Sequence, residues 1–130
     1  MKRFFIFCVI VLQAGYLEAQ WIHTPGPYGT SVTTLANDGL NLYAGSESGG
    51  VFFSSNSGGY WVEVDSGVSE LMFGRVSSLL LNGSRLYAAT QGGGVYLTTN
   101  GGAIWQERNT GLSALWVNAL AMYDVNLFAA

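Results

Sequence analysis

Two stretches of this chain can be laid on one another. Setting Val32 on Val76, a shift of 44 residues, matches Leu35 with Leu79, Gly39 with Gly83, Leu42-Tyr43-Ala44 with Leu86-Tyr87-Ala88, and Gly49-Gly50-Val51 with Gly93-Gly94-Val95. The same shift carries Asn56 onto Asn100, Gly58 onto Gly102, Trp61 onto Trp105, Glu63 onto Glu107 and Gly67 onto Gly111. A third copy opens at Val117 and keeps Leu120, Leu127, Phe128 and Ala129 in step at a shift of 41. The difference of three residues falls between the copies, so one connector is shorter and the repeating unit keeps its length. A period of this size marks a supersecondary unit that buries its faces by stacking on its own copies.

Each unit holds four short runs of β-branched and aromatic residues separated by turn residues; in the second copy they cover 76–81, 85–90, 95–99 and 104–109. Asp38-Gly39 and Asn82-Gly83 predict two-residue type I′ hairpins with both central residues at positive φ, which makes the first two runs antiparallel neighbours. Eighteen glycines and only two prolines in 130 residues disfavour long helices and fit frequent turns. Four short antiparallel strands per unit, in sheets too small to bury both faces alone, describe one blade of a β-propeller.

The expected fold class is therefore all-β: a β-propeller fragment of four-stranded antiparallel blades, about two of them complete, with parts of two others. Complete blades are placed at 32–65 and 76–109, and an incomplete one at 117–130. Trp21 precedes Val32 by eleven residues, much as Trp105 precedes Val117 by twelve, so 21–24 is expected to be a lone fourth strand. Rings of this kind hold about four to eight blades. The remaining blades are expected to be missing from this chain, leaving a raw sheet edge at 126–130 through which the isolated product, if a stop codon follows, would aggregate or oligomerise.

Ser54-x-Asn56-x-Gly58-x-x-Trp61 and Thr98-x-Asn100-x-Gly102-x-x-Trp105 resemble the Asp-box of BNR-type propellers, with Asn where that family usually has Asp. The surrounding pattern is similar to repeats of sialidases, sortilin-like domains, bacterial xyloglucanases and photosystem II assembly-factor-like propellers. The resemblance implies a structural hairpin between the third and fourth strands, its Asp-position side chain capping the turn and its Trp packed in the blade. Asn56 and Asn100 can cap through their amide oxygens, without the carboxylate charge. It implies little about activity, because these families do unrelated things on one scaffold.

Lys2 and Arg3 precede an apolar run at 4–12 and a more polar stretch at 13–20, the pattern of a secretory signal covering 1–19 with cleavage after Ala19. The run is too short for a bilayer span, which needs about 20 residues. The expected location is secreted, periplasmic or cell-surface. Cleavage would remove Cys8, the only cysteine, and leave three arginines against seven acids, a net charge of −4. Disulfides and cysteine-held metals are thereby excluded, and no basic stripe offers nucleic acid a footprint.

In propellers the ligand usually sits on the face carrying the connectors, a family expectation that singles out Glu47, Phe73, Arg75, Gln91 and Trp116. Phe73 and Trp116 are expected to pack beneath their connectors and Glu47 and Gln91 to be solvated. Glu63 and Asp65 fall on one side of a strand, and a carboxylate pair is what glycoside hydrolysis uses, but an outermost strand would hold them away from the axis. Arg75, Arg85 and Arg108 sit at different phases of the repeat and do not form the arginine triad a sialidase would bring. His23, the single histidine, makes no metal site, and the glycine runs lack the Lys-Ser/Thr of a P-loop. No catalytic set, metal or cofactor is expected. The expectation is an exported, non-enzymatic scaffold for a protein or carbohydrate ligand. The alternative is the N-terminal part of a secreted glycoside hydrolase of xyloglucanase or sialidase type, with its catalytic residues in the missing blades.

Overall fold

The structure, a computed structural model, describes residues 23–65 and 74–130. The expected signal at 1–19, Trp21 and Phe73 lie outside the described residues. Everything described is β-strand, turn or irregular, in three antiparallel sheets. The first sheet contains β1 (Val32–Asn37), β2 (Leu42–Ser46), β3 (Val51–Ser54) and β4 (Val62–Glu63), and the second contains β5 (Val76–Asn82), β6 (Arg85–Thr90), β7 (Gly94–Thr98) and β8 (Gln106–Glu107), each in sequence order. The third pairs β9 (Leu120–Tyr123) with β10 (Asn126–Ala129).

Alternation along the strands divides the second sheet between two neighbours. Tyr43 and Val51 of the first sheet share a buried core with Leu79, Leu86, Ala88 and Trp105 of the second. From the other side of the second sheet, Ala89 and Val95 pack on Val117, with Tyr87, Leu120 and Leu127 beside them. The second sheet is thus covered on both faces, which is why its strands are so apolar.

Hydroxyls repeat the contact between sheets. Thr33, at a bulge in β1, donates to the Gly45 carbonyl of its own sheet and to the Val76 carbonyl of the next. Ser77, at the matching bulge in β5, donates to Ala89 and to Val117. One residue on, Thr34 Oγ1 accepts the Leu79 amide at 3.1 Å and Ser78 Oγ accepts the Leu120 amide at 3.2 Å. A bulge leaves one residue outside the ladder, and here its side chain becomes the fastener.

The turns differ from the expected type I′ pair. The loop after β1 is four residues long, because Asn37 pairs with Leu42. Asp38 closes it by accepting the Leu40 and Asn41 amides at 2.9 and 2.6 Å, together with the Asn41 side-chain amide at 2.8 Å. Those bonds, the Asn41 side chain foremost, hold the Asp38 carboxyl below its ordinary pKa. In the second sheet Asn82 is still in the ladder opposite Arg85, so the turn is Gly83-Ser84, with positive φ at Gly83 alone, as in a II′ turn. A capping carboxylate and a one-residue displacement explain both corrections.

The fourth strands are also shorter than expected: β8 holds two residues. Beyond it the Asn109 side chain replaces the ladder, accepting the Val95 amide at 2.7 Å and donating to the Gly93 carbonyl at 3.0 Å.

His23 and Thr24, the described half of the expected strand at 21–24, belong to no strand. Thr24 nevertheless lies against Gly58, where an added Cβ would fall 2.9 Å from its Cγ2. Gly102 is crowded by Val64 of the preceding sheet in the same way, with 2.5 Å to its carbonyl oxygen. Thr24 follows Trp21 by three residues as Val64 follows Trp61.

Candidate functional site

Antiparallel pairing brings the start of each first strand beside the end of each second strand. Glu47 donates its amide to Ser31 O at 2.9 Å, and Gln91, its equivalent, donates to Arg75 O at 2.9 Å. Gln91 also forms an isolated bridge with Trp116, which holds Arg75's place in the third copy. Four of the five candidates, Glu47, Arg75, Gln91 and Trp116, therefore stand in one row across the three sheets; Phe73 lies outside the described residues.

The row is linked by side chains that each cross to the next repeat. Arg75 Nε is 3.7 Å from Glu47 Oε2, with both side chains substantially exposed. Gln91 Nε2 donates to Asn118 Oδ1 at 2.9 Å. Trp116 is 62% exposed and so does not pack beneath its connector as expected. The backbone explains this: Gly92 and Gly94 both donate to Leu115 O, at 3.1 and 2.8 Å, which pulls the connector down on the glycine turn and leaves the indole outside. Beside Glu47, an open depression of about 450 Å³ is lined by Gly29, Thr30, Ser31 and Ser48. Asn118 and Thr30 carry no sequence signal of their own because neither belongs to a motif; only the copy-to-copy register could have pointed to Asn118.

At the opposite end lie the two Ser/Thr-x-Asn-x-Gly loops, whose hydrogen bonds match one for one. The Ser54 and Thr98 hydroxyls donate to the Oδ1 atoms of Asn56 and Asn100 at 3.0 and 2.8 Å and accept the Gly58 and Gly102 amides at 2.9 and 3.1 Å. The same Oδ1 atoms accept the Tyr60 and Ile104 amides, each at 2.9 Å. Each asparagine oxygen therefore accepts two donors across the loop, which is a structural task. The tryptophans diverge. Trp105 is buried and donates to Val64 O in the neighbouring sheet at 2.8 Å, whereas Trp61 is half-buried and donates to Gly58 O of its own loop at 3.1 Å.

Glu63 and Asp65 do meet. Partial burial foremost, then the Asp65 charge and a hydrogen bond to Asp65, push the Glu63 carboxyl above its ordinary pKa. The second copy has Asn109 in the Asp65 position, and there the amide donates to Glu107 Oε1 at 2.6 Å. Among the described residues no three His, Cys, Asp or Glu side chains converge on a metal-sized site, and no helix is long and apolar enough to cross a membrane.

No protein-family model matches the sequence, and no curated protein matches it. Among solved structures, the chain is similar to the computationally designed Ika4 protein, with 16% identity and a TM-score of 0.64 over 87% of this chain and 67% of that one. It is also similar to the computationally designed Ika8 protein, with 17% identity and a TM-score of 0.59 over 76% of this chain, and it spans 30% of that protein's length. At such identity the likeness concerns the fold alone: an all-β chain of antiparallel four-stranded sheets.

Proposed function

We propose that the chain is an exported, non-enzymatic segment of a β-propeller of the BNR or Asp-box kind, and that the row Glu47, Arg75, Gln91 and Trp116 is its surface for a protein or carbohydrate ligand. The observation that carries this reading is the exposure of Trp116, 62%, at the end of a row of polar side chains. An uncovered indole face beside amides and an ion pair suits a sugar ring or a partner's side chain. Two four-stranded sheets stacked at a fixed repeat, with matching Asn-capped loops, support the propeller reading.

Tryptophan fluorescence during titration with β-glucan and sialylated oligosaccharides, and with candidate protein partners, tests the surface. Binding that is lost in Trp116→Ala supports it. A longer reading frame whose later blades bring carboxylates or an arginine triad to the connector face, and whose product hydrolyses these sugars, would replace it with the glycoside hydrolase reading. Export is tested by the mass of the chain recovered outside the cytoplasm, which should lack residues 1–19.

A further inference from the structure

An asparagine or aspartate directly before glycine can close a five-membered ring on the glycine nitrogen, because glycine has no Cβ to keep the side-chain carbonyl carbon away from its amide. The sequence places three such residues, Asp38, Asn82 and Asn100. What decides among them is how firmly each side chain is held.

At two of the three the side chain is engaged. Both Asp38 oxygens accept hydrogen bonds, Oδ1 from the Leu40 and Asn41 amides and Oδ2 from the Asn41 side chain, and the Gly39 amide that would attack is itself bonded to Asn37 Oδ1 at 3.2 Å. Asn100 Oδ1 accepts the Thr98 hydroxyl and the Ile104 amide, so turning its carboxamide toward Gly101 requires local opening of the loop. Asn82 differs. It is exposed at the end of β5, and among the described residues its carboxamide has one partner, the Met122 sulfur of the third sheet, a weak acceptor. Gly83 stands in the turn at φ +59°, and a Cβ built on it would meet nothing within 4 Å, so the space beside the attacking nitrogen is open.

We propose that Asn82 is a modification site, where the folded chain deamidates spontaneously. The Gly83 nitrogen gives up its proton and bonds to Asn82 Cγ, the Cγ–Nδ2 bond breaks, and the amino group leaves with a proton as ammonia. Water then opens the ring. Cleavage of the new bond between nitrogen and Cγ leaves an aspartate, whereas cleavage of the original peptide bond leaves an isoaspartate, whose chain runs through Cβ and Cγ. Neither step oxidises or reduces anything. Both products lose the amide donated to Met122, and isoaspartate lengthens the backbone at a residue paired with Arg85, which removes the last rung of the β5–β6 ladder.

Peptide mapping by mass spectrometry of the full chain, held for weeks in warm neutral buffer, tests this. Exchange of NH for O at Asn82 should run several-fold ahead of that at Asn100, with the aspartate and isoaspartate peptides of equal mass separated by chromatography. In urea sufficient to unfold the chain the two sites should convert at similar rates, since both are Asn-Gly pairs and only the fold distinguishes them. An Asn82 that stays intact in the folded chain, an Asn100 that keeps pace with it, or a lead of Asn82 that is as large in urea would each overturn the inference.

Discussion

Trp105 donates its indole N–H across the gap between the two four-stranded sheets to the Val64 carbonyl, at 2.8 Å. Trp61, one repeat earlier, donates to the Gly58 carbonyl of its own loop, at 3.1 Å. The same side chain at the same phase therefore ties two sheets together in one copy and closes a loop in the other.

Replacing the indole separates these roles. Trp105→Phe keeps most of the apolar contact but orphans the Val64 carbonyl, at a cost of about 1–3 kcal/mol. Trp61→Phe, whose partner lies in a more exposed loop, should cost about half as much or less. Denaturant unfolding of the two variants measures the difference, and equal losses would contradict the assignment.

Asn100 is a cap, and its oxygen is what matters. Asn100→Ala should destabilise the chain by about 1 kcal/mol, because the Ile104 amide and the Thr98 hydroxyl lose their common acceptor. Asn100→Asp should equal or exceed the wild type at neutral pH. A carboxylate accepting these donors titrates below about 3.9 in the folded state, so its added stability is present above that pH and is lost as pH falls through the lowered folded value. Thermal melts across acid pH measure both effects.

Ser57 stands with φ at +58°, where the second copy has Gly101 at +70°. A left-handed L-residue costs about 1–2 kcal/mol and glycine returns part of that gain as chain entropy, so Ser57→Gly should stabilise by roughly 0.5–1 kcal/mol. Gly101→Ser should destabilise by a similar amount in the same unfolding assay.

The Glu63–Asp65 pair is a like-charge contact, and the raised Glu63 pKa means that folding favours the protonated acid. That contribution is full below the ordinary value of 4.5 and is lost as pH rises through the raised folded value. Asp65→Asn copies the Asn109 arrangement and should raise stability at neutral pH by a few tenths of a kcal/mol, less in high salt, with the gain vanishing in acid. A gain that persists at low pH would contradict the electrostatic account.

The shift of 44 residues was enough to place the first three strands of each unit, since a chain that keeps its Leu, aromatic and glycine positions in step over two stretches builds the same strands twice, but not the length of the fourth. The loops of Asn56 and Asn100 were legible for the same reason: their donors and acceptors lie within six residues. The turns were less so. Asn82-Gly83 marks a tight turn, but which residues are central depends on where the ladder ends, and Asn82 remained in it. The roles of Thr33 and Ser77 were not readable, because the second carbonyl that each holds belongs to another copy and a hydroxyl beside a strand looks like any solvated one. The exposure of Trp116 was not readable either, because the Leu115 carbonyl, a backbone group with no sequence signature, decides which way its connector lies.

The hydroxyl at each bulge also bears on how such a chain can lengthen. Thr33 and Ser77 sit inside the unit that they fasten, and their acceptors Val76 and Val117 open the unit that follows. A tandem duplication of one unit would arrive with both halves of its seam, acceptor carbonyl and donor hydroxyl on adjacent residues at its start, as at Val76 and Ser77, and could be inherited without a compensating change elsewhere. Asn118 and Ala119 occupy these places in the third copy, so a duplicate of that unit would have to acquire its hydroxyls by mutation.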